Sequence, residues 1–314
     1  MARYLLRRLL QALFVLWAAF TLSYAILFVL PGDPVDIKLG GIESTATPAE
    51  IAAVRDKYGI GEPLPVQYAK ALRNAVQGDF GHSVQSGADV RTTITDALPE
   101  TLKLTGFALL LAVVFGGGIA LLATYARNRA IRRLLLSIPA VGISMPAFWV
   151  GLVLIQVVSF QWRALPALGN DGFDSLVLPG ITMALPAGAF IAQVLAKSMT
   201  TALAAPYVDT ARAKGAGRAR IHLRHALRNA SLPTLTVVGV LAGNLLTESV
   251  VVETVFSRAG LGRVTAFAVD RQDIPVVQGV VVLSALVFVV VSLALDLLYP
   301  VLDPRVTTAR AAAA

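Results

Sequence analysis

Six long apolar runs divide this chain, and their length limits what it can fold into more than any other feature. They cover residues 9–30, 101–125, 134–160, 176–197, 232–256 and 276–299. A helix rising ~1.5 Å per residue needs about 20 residues to cross a hydrocarbon core ~30 Å thick. Every run is long enough. Only 15% of residues are charged, against about a quarter in soluble domains, and the mean hydropathy is +0.71. The expectation is an all-α polytopic membrane protein with six transmembrane helices.

The charges between the runs orient it. Arg3, Arg7 and Arg8 precede the first run. Residues 31–97 hold six basic against nine acidic residues, which suits the outer face. Arg127, Arg129, Arg132 and Arg133 follow the second run with no acid among them, which places that loop inside. Arg163 against Asp171 and Asp174 returns the next loop to the outside. Arg212, Lys214, Arg218, Arg220, Arg224 and Arg228 face only Asp209 in the loop after the fourth run, which is therefore cytoplasmic. Both termini are expected inside. The net charge of +8 is thus a statement about membrane orientation rather than about nucleic acid. The first run is longer than the core of a signal peptide and lacks a good cleavage site, so it is read as an uncleaved span.

The expected organisation has three parts. Residues 1–97 form the first transmembrane helix and a folded outer lobe. Residues 98–305 form a five-helix core with a cytoplasmic loop at 198–230. Residues 306–314 form a disordered tail. Within the lobe, Thr47-Pro48-Ala49-Glu50 reads as a helix start, Thr as N-cap and Glu as its capping-box partner, with a stop near Gly59. A second helix at 65–76 should end at Gly78. Gly116-Gly117-Gly118 in the second run predicts close helix approach. Two proline pairs, Pro139 with Pro146 and Pro179 with Pro186, predict bent third and fourth spans. Broken spans around a cavity suit a transporter, and kinked bundle helices explain the same prolines.

The most basic stretch, 207–233, predicts a short helix from Tyr207 to Lys214 stopped by Gly215 and Gly217. A second helix is expected over 218–231. It carries Arg220, Arg224 and Arg228 on one face, beside Leu223, Ala226, Leu227 and Ala230. Such a helix suits the lipid interface, with its arginines toward phosphates. That does not account for the small side chains at Thr210, Ala211, Ala213 and Gly215, which let a partner approach the backbone while the charges set its register.

These residues resemble the EAA loop of ABC importer permeases. Ala211, Gly215 and Leu227 stand in register with it, while Asp209, Thr210, His225 and Arg228 depart from it. The departures agree with the dipeptide/oligopeptide/nickel branch, whose TARAKG, HALRN and LP segments all occur here. Further resemblances to that branch are Pro31-Gly32-Asp33-Pro34, Gly78-Asp79-Phe80-Gly81, Met145-Pro146, Gly260-Leu261-Gly262 and Pro275-Val276-Val277-Gln278-Gly279. They cover nearly the whole chain and point to the first of two paired permeases. Ala259 stands where that branch usually has proline.

The resemblance implies a Type I ABC importer fold in a prokaryotic cell membrane. It implies a second, paralogous permease, two ATPase subunits or domains and an extracytoplasmic substrate-binding protein. Asp209, Thr210, Ala211, Arg212, Ala213, Lys214, Gly215 and Leu227 would then form the coupling contact with an ATPase. Closure of the ATPases on ATP would push these segments together and turn the pore outward. No GxxxxGK[ST] phosphate loop occurs, so ATP and Mg would be bound by the partners and the chain itself is no enzyme.

Glu248 and Glu253, near the outer end of the fifth run, and Asn244 one turn earlier are candidates for a pore mouth or gate. A carboxylate within a span costs roughly 2.5–3.5 kcal/mol on insertion scales unless it faces a cavity or partner. Packing or interfacial roles remain open for all three. His82, His222 and His225 lie on opposite sides and make no metal set. The alternative function is a standalone ion-coupled transporter, which calls for paired acids or histidines at mid-membrane depth. A membrane hydrolase lacks its nucleophile elbow around Ser144.

Overall fold

The structure is a computed structural model that describes residues 2–29, 47 and 63–302. The helix start at 47–50, the Pro31–Pro34 motif and the tail beyond Leu302 lie outside the described residues, apart from Thr47. Among the described residues the elements are helices: α1 Ala2–Val29, α2 Leu64–Val76, α3 Val90–Tyr125, α4 Arg129–Ser144, α5 Ala147–Leu154, α6 Asp174–Leu203, α7 Pro206–Ala213, α8 Leu227–Val255, α9 Leu261–Asp270 and α10 Ile274–Leu302. Two π-helical stretches, Ile155–Gln161 and Ile221–Ala226, continue α5 and precede α8. Five helical runs are long and apolar enough to span a membrane, and α4 with α5 makes a sixth if the bent pair is one span.

That pair is broken by 99° at Met145 and Pro146. Proline pushes the residue before it out of the helical region, and Met145 has ψ 124°. Pro139 sits inside α4 without ending it. Of the two readings of the fourth-span prolines, a broken span and a bundle helix that carries them, the structure bears out the second: α6 runs as one helix through Pro179 and Pro186. Pro179 has no N–H for the Ser175 carbonyl four residues back. Arg258 Nη1 supplies the missing donor, 3.0 Å from that oxygen, and also bonds Ser175 Oγ at 3.2 Å and the Gly169 carbonyl at 3.1 Å.

Two compact units divide the chain. The larger takes residues 102–258 and 291–314. Its central helix is α6, with 67% of its most apolar stretch buried, against 22% for the run ending in α8. Leu178, Met183, Ala187 and Ile191 of α6 pack against Leu104, Ala108 and Ala112 of α3 and against Leu245 and Val252 of α8. Of the glycine triplet, Gly116 makes the close approach: a Cβ there would lie 2.3 Å from the Gly188 oxygen, whereas Gly117 and Gly118 face open space. Toward the inner end a second cluster joins Ala120 of α3, Leu195, Met199 and Ala202 of α6, and Ala226 and Ala230.

The other unit takes residues 1–101 and 259–290. Tyr68 of α2 packs edge-on to Tyr24 of α1 at 5.4 Å, and its hydroxyl lies 2.8 Å from Thr21 Oγ1. Helix α2 ends before Gly78, as its sequence predicts. Gly78 and Gly81 take φ of +75° and +74°, and Gly81 N–H donates to Asp79 Oδ1 at 2.8 Å. The turn sends Phe80 to Gly279, where an added Cβ would lie 3.3 Å from the Phe80 ring. Helix α3 begins at Val90, earlier than the second apolar run, because Asp89 caps it by accepting from Thr92 N–H at 3.2 Å and Thr92 Oγ1 at 3.0 Å. Those bonds, led by the Thr92 hydroxyl, hold the Asp89 carboxyl below its ordinary pKa. Asp273 accepts from Ser83 Oγ and, at 3.1 Å, from Val84 N–H. Helix α9 lies within a loop where no element was expected.

Candidate coupling site

The site begins where α6 ends. Ala204 and Ala205 turn the chain, and Pro206 opens α7 at a position whose N–H would have no helical partner. Val208 is fully buried and fixes α7 to the bundle. The rest of the segment is bare: Asp209, Thr210, Arg212, Ala213, Lys214 and Gly215 are exposed and Ala211 half-buried. Asp209 and Arg212 pair at 3.0 Å, both well solvated. Such a pair is worth about 0–1 kcal/mol and is easily exchanged for a partner's charge.

Gly215 ends the helix with φ +80°. Its N–H bonds the Arg212 carbonyl at 2.9 Å, and Ala216 N–H bonds the Ala211 carbonyl at 3.0 Å. These two bonds are a complete Schellman stop. A Cβ on Gly215 would meet nothing within 4 Å, so what favours glycine inside this chain is backbone conformation rather than space.

Beyond the turn the structure corrects the sequence reading. The residues from Arg218 do not form a separate amphipathic α-helix ending at Ser231. They run into the span, one turn at Arg218–Arg220 leading through the π-helix to α8, with Pro233 inside α8. The i+5 bonding of a π-helix inserts a residue and rotates the later residues about the helix axis. Ala226 and Ala230 are buried within the chain rather than lying on an interfacial stripe, Ile221 and His222 are buried with them, and Leu223 is 58% exposed. Arg220, Arg224 and Arg228 remain exposed. Leu227 packs into the inner alanine cluster, so it props the segment from within and is not part of the bare surface.

His222 is the feature that sequence reasoning missed. Its Nε2 lies 2.9 Å from Thr124 Oγ1, near the end of α3. The Thr124 hydroxyl also lies 2.7 Å from the Ala120 carbonyl, so it can give its proton there and accept from the imidazole. The ring meets Tyr125 edge-on at 5.3 Å. Arg218 covers the Tyr125 ring at 4.5 Å and bonds the Tyr125 carbonyl. A cavity of about 320 Å³ adjoins them, lined by Thr124, Leu203, Arg212, Arg218 and His222 among others.

The structure separates the three pore candidates. Asn244 and Glu248 are exposed, four residues apart on one face of α8 with Val240 and Val251. Glu253 is 1% exposed, enclosed by this chain. Its carbonyl accepts from Arg258 N–H at 2.8 Å, within the turn that presents the Arg258 side chain to α6.

Comparison with known proteins places this geometry. A family described as "Binding-protein-dependent transport system inner membrane component" matches residues 112–308, and the corresponding N-terminal family matches residues 1–105. The glutathione transport system permease protein GsiC of Escherichia coli strain K12 is 37% identical over 306 residues, covering 98% of this chain and 99% of the relative. GsiC of Salmonella paratyphi A matches at the same identity and coverage. Among solved structures, the MetNI methionine ABC transporter in an inward-facing conformation aligns with TM-score 0.58 at 18% identity, covering 67% of this chain and 95% of that one. The last similarity supports the fold alone. Together with the helices and the exposed α7 turn, these matches establish that the chain belongs to the binding-protein-dependent inner-membrane transport components, as a non-catalytic ABC importer permease of the peptide/nickel branch.

Proposed function

We propose that this chain forms half of the pore of an ATP-driven importer of small peptides, paired with a paralogous permease. Helix α7 and its turn seat in a cleft of the ATPase. The observation that carries the reading is the α7 geometry. Five exposed residues, Asp209, Thr210, Arg212, Ala213 and Lys214, lead to a fixed left-handed turn and are anchored from behind by Val208. The surface carries small side chains flanked by charges, which suits a docking helix. ATP and Mg²⁺ belong to the ATPases in this scheme, and a receptor outside delivers the solute. The peptide class is supported by full-length similarity to glutathione permeases. The exposed Asn244 and Glu248 face of α8 is proposed to line the pore or to meet the second permease.

The chain contains no cysteine, so a single thiol can be placed without background. With Ala213→Cys in the assembled importer, a thiol-directed photo-cross-linker should capture the ATPase. Capture of lipid alone would end the docking scheme. Uptake into proteoliposomes with the cognate receptor should follow di- and tripeptides; uptake of a metal chelate and of no peptide would end the peptide assignment.

A further inference from the structure

We infer that His222 is the positioning residue that passes the movement of α7 to the inner end of α3. The inference rests on α7 being the docking segment, and it adds the route by which force leaves that segment.

Four observations converge on it. First, His222 is 3% exposed, although Leu223 and Arg224 beside it face outward. A polar ring at the cytoplasmic edge of a membrane protein is buried only where it has a partner. Second, its partners all belong to the end of α3: Thr124 Oγ1 at 2.9 Å, the Tyr125 ring at 5.3 Å and the Leu121 backbone. Third, Arg218 holds Tyr125 at the same helix end, over its ring at 4.5 Å and on its carbonyl. Fourth, His222 stands at four-residue spacing from Ala226 and Ala230, which pack in the inner alanine cluster, and it lies within a π-helical turn, a feature that concentrates at functional positions inside longer helices.

Helix α7 rests on this π-helix and is joined to it by a turn stiffened by the two bonds at Gly215 and Ala216. A displacement of α7 therefore moves the π-helix with it. Elsewhere at the inner end the segment meets α3 through Ala120 and Ala226, smooth surfaces that slide. A hydrogen bond and an edge-on ring contact fix both direction and register. Helix α3 is 36 residues long, about 54 Å at the usual rise, so a push on Thr124 is delivered far from the cytoplasm.

The test uses the complete importer, with receptor and ATPases, in proteoliposomes. His222→Leu removes the hydrogen-bonding ring and keeps a buried apolar volume. ATPases should stay bound and ATP hydrolysis should continue within about twofold, while receptor-dependent uptake falls about tenfold, the size of a typical coupling energy between sites. His222→Gln, whose amide nitrogen reaches to where Nε2 lies, should restore most of the uptake. A merely structural histidine would lower hydrolysis, assembly and uptake together. In a second arm, Thr124→Cys with His222→Cys, bridged by a short bifunctional thiol reagent entering from the adjoining cavity, should still transport, because the contact is held throughout the cycle. Normal uptake by His222→Leu, arrest by the bridge, or loss of the ATPases from His222→Leu would each overturn the role of His222. The Ala213→Cys cross-link separates the two readings. If it forms while His222→Leu transports normally, docking stands and only this route falls; if it does not form, docking itself falls.

Discussion

The Arg258 guanidinium and the Ser175 carbonyl meet at 3.0 Å, and the acceptor is the one that Pro179 leaves open. A side chain after α8 therefore completes the backbone of α6. Arg258→Met removes the donor from Ser175 and Gly169 together. Each buried group left without its partner costs about 1–3 kcal/mol. The detergent-solubilised permease should lose several degrees in Tm by intrinsic tryptophan fluorescence, with Arg258→Lys intermediate. An unchanged Tm would mean that another donor reaches Ser175.

Gly215 separates a backbone requirement from a surface requirement. Asparagine tolerates positive φ, so Gly215→Asn should keep the Schellman stop and add only a modest side chain. Gly215→Val adds strain of about 1–2 kcal/mol as well as bulk toward the partner. Membrane insertion should survive both. ATPase co-purification should fall slightly for Asn and strongly for Val. Full co-purification with Val would contradict docking at this turn.

The glycine triplet divides by position. Gly116→Leu drives a Cβ to 2.3 Å from the Gly188 oxygen, and backbone on backbone cannot yield cheaply. Overpacking of this kind costs about 1–3 kcal/mol or more. Gly117→Ala and Gly118→Ala meet open space and should leave thermal stability unchanged or slightly raised. Equal destabilisation at all three positions would show that helix flexibility, not close approach, sets the requirement.

Asp89 makes the start of α3 sensitive to acid. The hydrogen bonds from Thr92 lower its pKa in the folded chain. By linkage, the stabilisation is complete above the unfolded carboxylate pKa and is lost as pH falls through the lower folded value. Asp89→Asn keeps an accepting oxygen but no charge. Its Tm profile should lack the part of the acid-side fall due to this residue, and parallel profiles for both proteins would remove Asp89 from the account.

The membrane-spanning runs, the α7 helix and its stop at Gly215 were legible because each depends on short-range chemistry. Apolar length, a proline at the first turn and a glycine past the last can be read from neighbours in sequence. The π-turn at 221–226 was not, because helical periodicity assumes one turn size. Leu223, read as part of the apolar stripe of an interfacial helix, is exposed, and the role of His222 was hidden because its partner Thr124 lies 98 residues away in sequence. The continuity of α6 was hidden for another reason: the donor that excuses Pro179 comes from Arg258, far along the chain. The burial of Glu253 was equally invisible, since position along α8 does not say which face the enclosing helices cover. Asn244 and Glu248 share a face by simple spacing, and that much was readable.

The bond between Arg258 and Ser175 also orders events at synthesis. The fourth span leaves the ribosome with an unanswered oxygen near its outer end, and the group that answers it lies 83 residues downstream. Until the fifth span has been threaded and its far terminus has crossed to the outer leaflet, that oxygen must be served by water or by the insertion machinery. Completion of one helix thus reports the arrival of the next, and a nascent chain truncated just short of residue 258 would hold the fourth span in the bilayer less firmly than one a few residues longer.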